Sequence, residues 1–142
     1  MISLEGSDGC PLIQRFLVSR YAEMLRDYKG QFVLVLPGNR IAPIFHSGEL
    51  MAINLNYIFY DEAACDRIEL SEEERYAFLA HELGHYYDDT SRDLGQQLRE
   101  INADDFAVKL GLRCYLASAL QKIQEAVDEE TRMLIKERID RL

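Results

Sequence analysis

The chain has 142 residues, of which 48% are apolar and 29% charged, and carries a net charge of −9 at neutral pH. That length suits one compact domain over 1–142, and no apolar run approaches the ~20 residues of a membrane span, so no membrane association is expected. No basic patch exists to hold a phosphate backbone, which excludes nucleic acid as the expected partner.

The start, "MISLEGSDGCPLIQRF", lacks the basic head and apolar core of a secretory signal. Cys10, Cys65 and Cys114 lie far apart, form no CxxC and cannot all pair. Both features predict a reducing, cytoplasmic setting. Residues 49–93 hold twelve Asp/Glu and three Arg, which accounts for the whole charge imbalance. An acidic, solvated face explains this, and so does an acidic rim around a site for cationic substrates.

In chain order, residues 11–29 predict a helix. Pro11 suits its first turn, Gly30 its exit, and Ile13, Phe16, Leu17, Tyr21, Met24, Leu25 and Tyr28 recur at helical spacing. "QFVLVL" (31–36) reads as a buried strand closed by Pro37-Gly38-Asn39, and "IAPIF" (41–45) as an edge strand at most, because of Pro43. "ELMAINLNY" (49–57) alternates, with Met51, Ile53, Leu55 and Tyr57 on one face and Leu50, Ala52, Asn54 and Asn56 on the other. It predicts one strand bordering a cleft, with Asn54 and Asn56 facing substrate. Residues 58–70 form a poorly defined connection. Ser71 then caps a helix through residue 90, with Glu74 completing a capping box. "QQLREINADDFAVKL" is the next helix, ended by Gly111, and helical patterns fill the tail. The fold class expected is α+β: an N-terminal helix, a small sheet with a cleft-edge strand, and a helical C-terminal half.

The chemistry centres on "HELGH". On a helix His81 and His85 share a face, so both can reach one ion at ~2.0–2.1 Å. Glu82, one step around, is placed to reach a water on that ion. The ion lowers the pKa of the water, and the carboxylate takes the proton and delivers it to the leaving amine. HExxH also occurs on core helices whose histidines are merely hydrogen-bonded. A catalytic zinc needs a third protein ligand. Asp88 and Ser91 stand where a metzincin would need Gly and its third ligand. "EINAD" supplies Glu100 as third ligand and, on the same face, Asp104 to accept a proton from a histidine and fix its tautomer. Asp89 and Asp93 are rival ligands. Tyr57, Tyr86, Tyr87 and His46 are open candidates for an oxyanion donor.

His81-Glu82-Leu83-Gly84-His85 followed by Glu100-x-x-x-Asp104 resembles the gluzincin metallopeptidases, over roughly residues 48–111. "GELMAINLNY" is similar to the cleft-bordering strand of small members such as the ImmA/IrrE-like peptidases. The resemblance implies a zincin-like fold and a zinc peptidase acting on a protein or peptide, with an extended substrate pairing along that strand. Two rivals stand beside an active enzyme. One is a catalytically inactive scaffold that docks a partner, and the other is a latent peptidase covered by residues 58–70.

Overall fold

A computed structural model of the chain describes residues 3–6, 11–27, 32–37, 51–54, 57–87 and 95–142. They fall into two compact units, Met1–Ala64 and Cys65–Leu142. No helix among the described residues is long and apolar enough to cross a membrane.

The first unit holds four short strands, β1 (Ser3–Gly6), β2 (Phe32–Pro37), β3 (Met51–Asn54) and β4 (Tyr57–Tyr60), ordered β1-β2-β4-β3. β1, β2 and β4 run parallel, and β3 is antiparallel to β4. β1 has only four residues, Ser-Leu-Glu-Gly, too few to show a period, and was not expected. The helix expected over 11–29 is two pieces, α1 (Pro11–Leu17) and a 3-10 helix (Arg20–Asp27). Ser19 makes the break. Its backbone N–H and its hydroxyl both donate to the Phe16 carbonyl, at 3.0 and 2.6 Å, which diverts that acceptor from the helix ladder. Leu12, Ile13 and Phe16 on α1, with Tyr21 and Leu25 beyond the break, form the buried row, so the apolar spacing survives the change of helix type.

The single strand expected at 49–57 is also corrected. The chain reverses between β3 and β4, and the register sets Asn54 opposite Tyr57 and Ile53 opposite Ile58. Two strands joined by two residues each keep period 2, but the phase inverts at the turn. Met51, Ile58 and Tyr60 are accordingly the buried positions, and Tyr57 is in register with Asn54 rather than in alternation with Met51. Asn54 ends β3. Asn56, and the edge strand expected at 41–45, lie outside the described residues.

Residues 58–70, expected to be a loose connection, are ordered. β4 is followed by α2 (Glu62–Arg67), which crosses the boundary between the units. Asp61 Oδ1 caps it, accepting the Ala64 N–H at 3.0 Å. Its exit uses Glu69 in the left-handed region, φ 56°, with Leu70 N–H bonded to the Cys65 carbonyl and Glu69 N–H to that of Asp66.

Beyond α2, the second unit consists of α3 (Glu72–Tyr87), α4 (Gln96–Lys109), α5 (Arg113–Gln124) and α6 (Glu129–Arg141). This overturns the expected α+β class. The described residues are mostly helical, and the unit that carries the histidine motif has no strand or sheet among its described residues. The apolar runs of residues 31–57 are conspicuous in the sequence and suggest a sheet beside the motif, whereas the core of the second unit is helix on helix. Phe78, Leu79 and Leu83 of α3, Ile101 and Phe106 of α4, and Leu112, Leu116 and Leu120 from the α5 segment are buried there.

Ser71 starts α3, its hydroxyl accepting the Glu74 N–H at 3.2 Å. The reciprocal half of the expected capping box is replaced. Glu74 is buried and takes Lys122 Nζ at 2.8 Å instead. A cross-helix ion pair has won over the local cap. Gly111, φ 90°, ends α4 as its sequence position suggested, with the Leu112 N–H returning to the Ala107 carbonyl at 3.0 Å.

Candidate metal centre

α4 comes close against α3 at Gly84. A Cβ there would meet the Ala103 carbonyl oxygen at 2.7 Å, Ala103 Cα at 2.9 Å and Phe106 Cβ at 2.9 Å. Only a residue without a side chain lets the α4 backbone come this close at the turn that carries both histidines, and Ala103 and Ala107 of α4 are small and buried. That proximity brings Glu100 and Asp104, one turn apart on α4, against the two imidazoles.

His81 Nε2 lies 2.8 Å from Glu100 Oε2 and 3.1 Å from His85 Nε2, and His85 Nε2 lies 3.4 Å from Glu100 Oε1. The ligand atoms of these three residues all lie within 4.8 Å of one another. Ligand atoms around a tetrahedral zinc at ~2.0–2.1 Å are themselves roughly 3.3 Å apart, so the donor set fits such an ion in kind, number and spacing. Two ring nitrogens and a carboxylate facing one another at this depth also require a proton or a cation among them.

Asp104 stands on the far side of His81, with Oδ1 2.7 Å from Nδ1. An ionised carboxylate only accepts, so Nδ1–H donates and Nε2 faces the cluster. Asp104 is buried, and burial by itself would raise its pKa, but hydrogen bonds from Arg138 and His81 hold it below the usual carboxylate range. Arg138, on α6, donates from Nε to Oδ2 and from Nη2 to Oδ1, both at 2.8 Å. Its Nη1 is 3.8 Å from Glu100 Oε2.

Burial would lower the His81 pKa. The hydrogen bonds to Asp104 and Glu100 and the Glu82 charge outweigh it, and the pKa is raised to about 9. Glu100 is pushed upward by burial but held well below the ordinary carboxylate range by the hydrogen bonds from His81 and His85. Glu82 is buried, 7% exposed, on the same helix.

The expected residues thus divide clearly. His81, His85 and Glu100 converge, Asp104 braces His81, and Glu82 is buried next to His81 in sequence. Tyr87 stacks on Phe106, with ring centroids 5.6 Å apart, as a packing residue. His46, Asp88, Asp89 and Asp93 lie outside the described residues. Arg138 was missed by the sequence reading. A faint signal existed, because it falls three residues after buried Ile135, and a charge on that row needs a partner.

The chain matches no protein-family model, and comparison with curated proteins and with solved structures found no match.

Proposed function

We propose that the chain is a metal-dependent hydrolase. Within that class the reading is a zinc peptidase of gluzincin type, acting in the cytoplasm on a protein or peptide. The observation that supports it most is the convergence of His81, His85 and Glu100 on one point, with Asp104 behind His81 and Glu82 beside it in the motif.

The two histidines and Glu100 would hold the ion. Zinc, when bound, lowers the pKa of a coordinated water and polarises a carbonyl. Glu82 serves as general base, its carboxylate accepting a proton from the attacking water and returning it to the leaving amine. Asp104 keeps the His81 Nδ1 proton in place, so that Nε2 offers its lone pair to the cluster. Gly84 keeps α3 and α4 close enough for all four groups to act together.

A second reading has one observation in its favour. The hydrogen bonds among His81, Glu100, Asp104 and Arg138 close a charge-balanced network without any ion, which suits a non-catalytic scaffold. One experiment separates the two: metal content of the purified protein, together with a mixed-peptide digest run with and without chelator. Stoichiometric zinc and chelator-sensitive cleavage support the enzyme. Absence of bound metal and of cleavage after zinc addition overturns it.

A further inference from the structure

We infer that Arg138 is a positioning residue for the metal centre, and that through it the docking of the last helix and the affinity for zinc are coupled. The inference rests on the metal reading of the cluster but not on peptidase activity.

Three observations carry it. First, the Arg138 fork takes both oxygens of Asp104 at 2.8 Å, which fixes the plane of that carboxylate as a single hydrogen bond cannot. Second, Asp104 Oδ1 is shared, accepting Arg138 Nη2 at 2.8 Å and His81 Nδ1 at 2.7 Å. The plane Arg138 sets is therefore the plane that orients the imidazole. Third, α6 is lightly anchored. Ile135 is its only buried side chain among the described residues. Exposed hydrogen bonds also tie it to the unit, among them those from Gln97 to the Leu134 carbonyl at 2.8 Å, from Arg132 to the Gln124 carbonyl at 3.1 Å and from Gln124 to the Arg132 carbonyl at 3.3 Å. The Arg138 clasp, 11% exposed at the side chain, is the charged, largely buried link between α6 and the ligand-bearing helix α4 among the described residues.

Two consequences follow from these links. Releasing α6 frees Asp104 to rotate and loosens His81. Conversely, an ion that locks His81 locks Asp104, and with it α6. Coupling of this kind is reciprocal, so the factor by which docked α6 tightens zinc is the factor by which zinc tightens α6.

The test uses the full chain and zinc alone. Zinc affinity is measured by competition with a chromophoric chelator for wild type and R138M, and hydrogen exchange is followed in wild type with and without zinc. Arg138→Met keeps the length and apolar stem and removes the fork. Its expected zinc affinity is about 10- to 100-fold weaker, with R138K recovering part of the loss. In wild type, zinc should slow exchange of the α6 amides by a similar factor. Zinc affinity in folded R138M equal to wild type overturns the proposal, as does α6 exchange indifferent to zinc while α3 and α4 slow down. The wild-type exchange experiment decides the matter even if R138M fails to fold. Wild-type protein that takes up no zinc overturns the metal reading itself and this inference with it, which distinguishes that failure from the other two.

Discussion

At the scale of single residues, the cluster assigns different work to neighbouring carboxylates. Glu100 faces the two ring nitrogens, whereas Glu82 belongs to neither the ligand set nor its brace. Glu82→Gln should therefore retain zinc while turnover drops by at least about a hundredfold, the usual worth of a positioned base. Metal analysis and a single-turnover assay on the same sample check this, and equal rates in the two proteins would end the mechanism. His81 supplies a second prediction. Its pKa in the metal-free protein is about 9 against an ordinary 6.5, so at pH 7 the ring holds a proton that an incoming ion must displace. Zinc affinity should climb about tenfold per pH unit toward pH 9 and level off above it. Chelator competition across that range measures the slope, and a flat profile contradicts the assignment. The same raised pKa stabilises the metal-free fold fully below about 6.5, and that contribution fades as pH rises through about 9. Asp104 and Glu100, held low, act with the opposite sign and lose their contribution on acidification. These residues were legible because i, i+4 spacing on a helix dictates a shared face whatever the rest of the chain does. Arg138 was not, since it meets Asp104 from 34 positions away, and no local period encodes that meeting.

At the scale of elements, two glycines separate packing from backbone geometry. Gly84→Ala forces a methyl into the Ala103 carbonyl and should cost about 1–3 kcal/mol by overpacking. Zinc affinity should fall with it, because α3 and α4 move apart. Gly111→Ala meets no neighbour within 4 Å but sits at φ 90°. It should cost about 1–2 kcal/mol through backbone strain alone and leave zinc affinity intact. Denaturant melts paired with chelator titrations distinguish the two, and equal effects on zinc would refute the contact argument. Helix existence was readable throughout the second half, from the Ser71 cap and the Gly111 exit to the apolar spacing of the tail, although the cap of α6 was not singled out. Asp128 caps α6 through the Thr131 N–H at 2.8 Å. Element interruptions were harder to read. Ser19 stops α1 through a hydrogen bond to a carbonyl already within the apolar period. The β3–β4 turn hides in an unbroken alternation, because a reversal shifts the phase without removing the period.

At the scale of the molecule, every group of the cluster comes from three helices of the second unit, α3, α4 and α6. Metal binding to it is then also folding energy for it. Free zinc at about a thousand times its Kd should add ~4 kcal/mol to the stability of that unit. Calorimetry with and without chelator reads the shift, and hydrogen exchange should locate it in α3, α4 and α6. A melting profile indifferent to zinc would remove the ion from the account. HELGH in the sequence marked the α3 helix and its place beside α4. The partners expected from the next helix, Glu100 and Asp104, do join the motif, whereas Arg138 of α6 completes the network from further along the chain.

The confinement of the cluster to Cys65–Leu142 has a genetic corollary. A recombination breakpoint anywhere upstream of Cys65 passes on His81, His85, Glu100, Asp104 and Arg138 as one inheritable block. A breakpoint between α4 and α6 hands on the ligands without the arginine that steadies them, and such a chimera would start life with a slack imidazole.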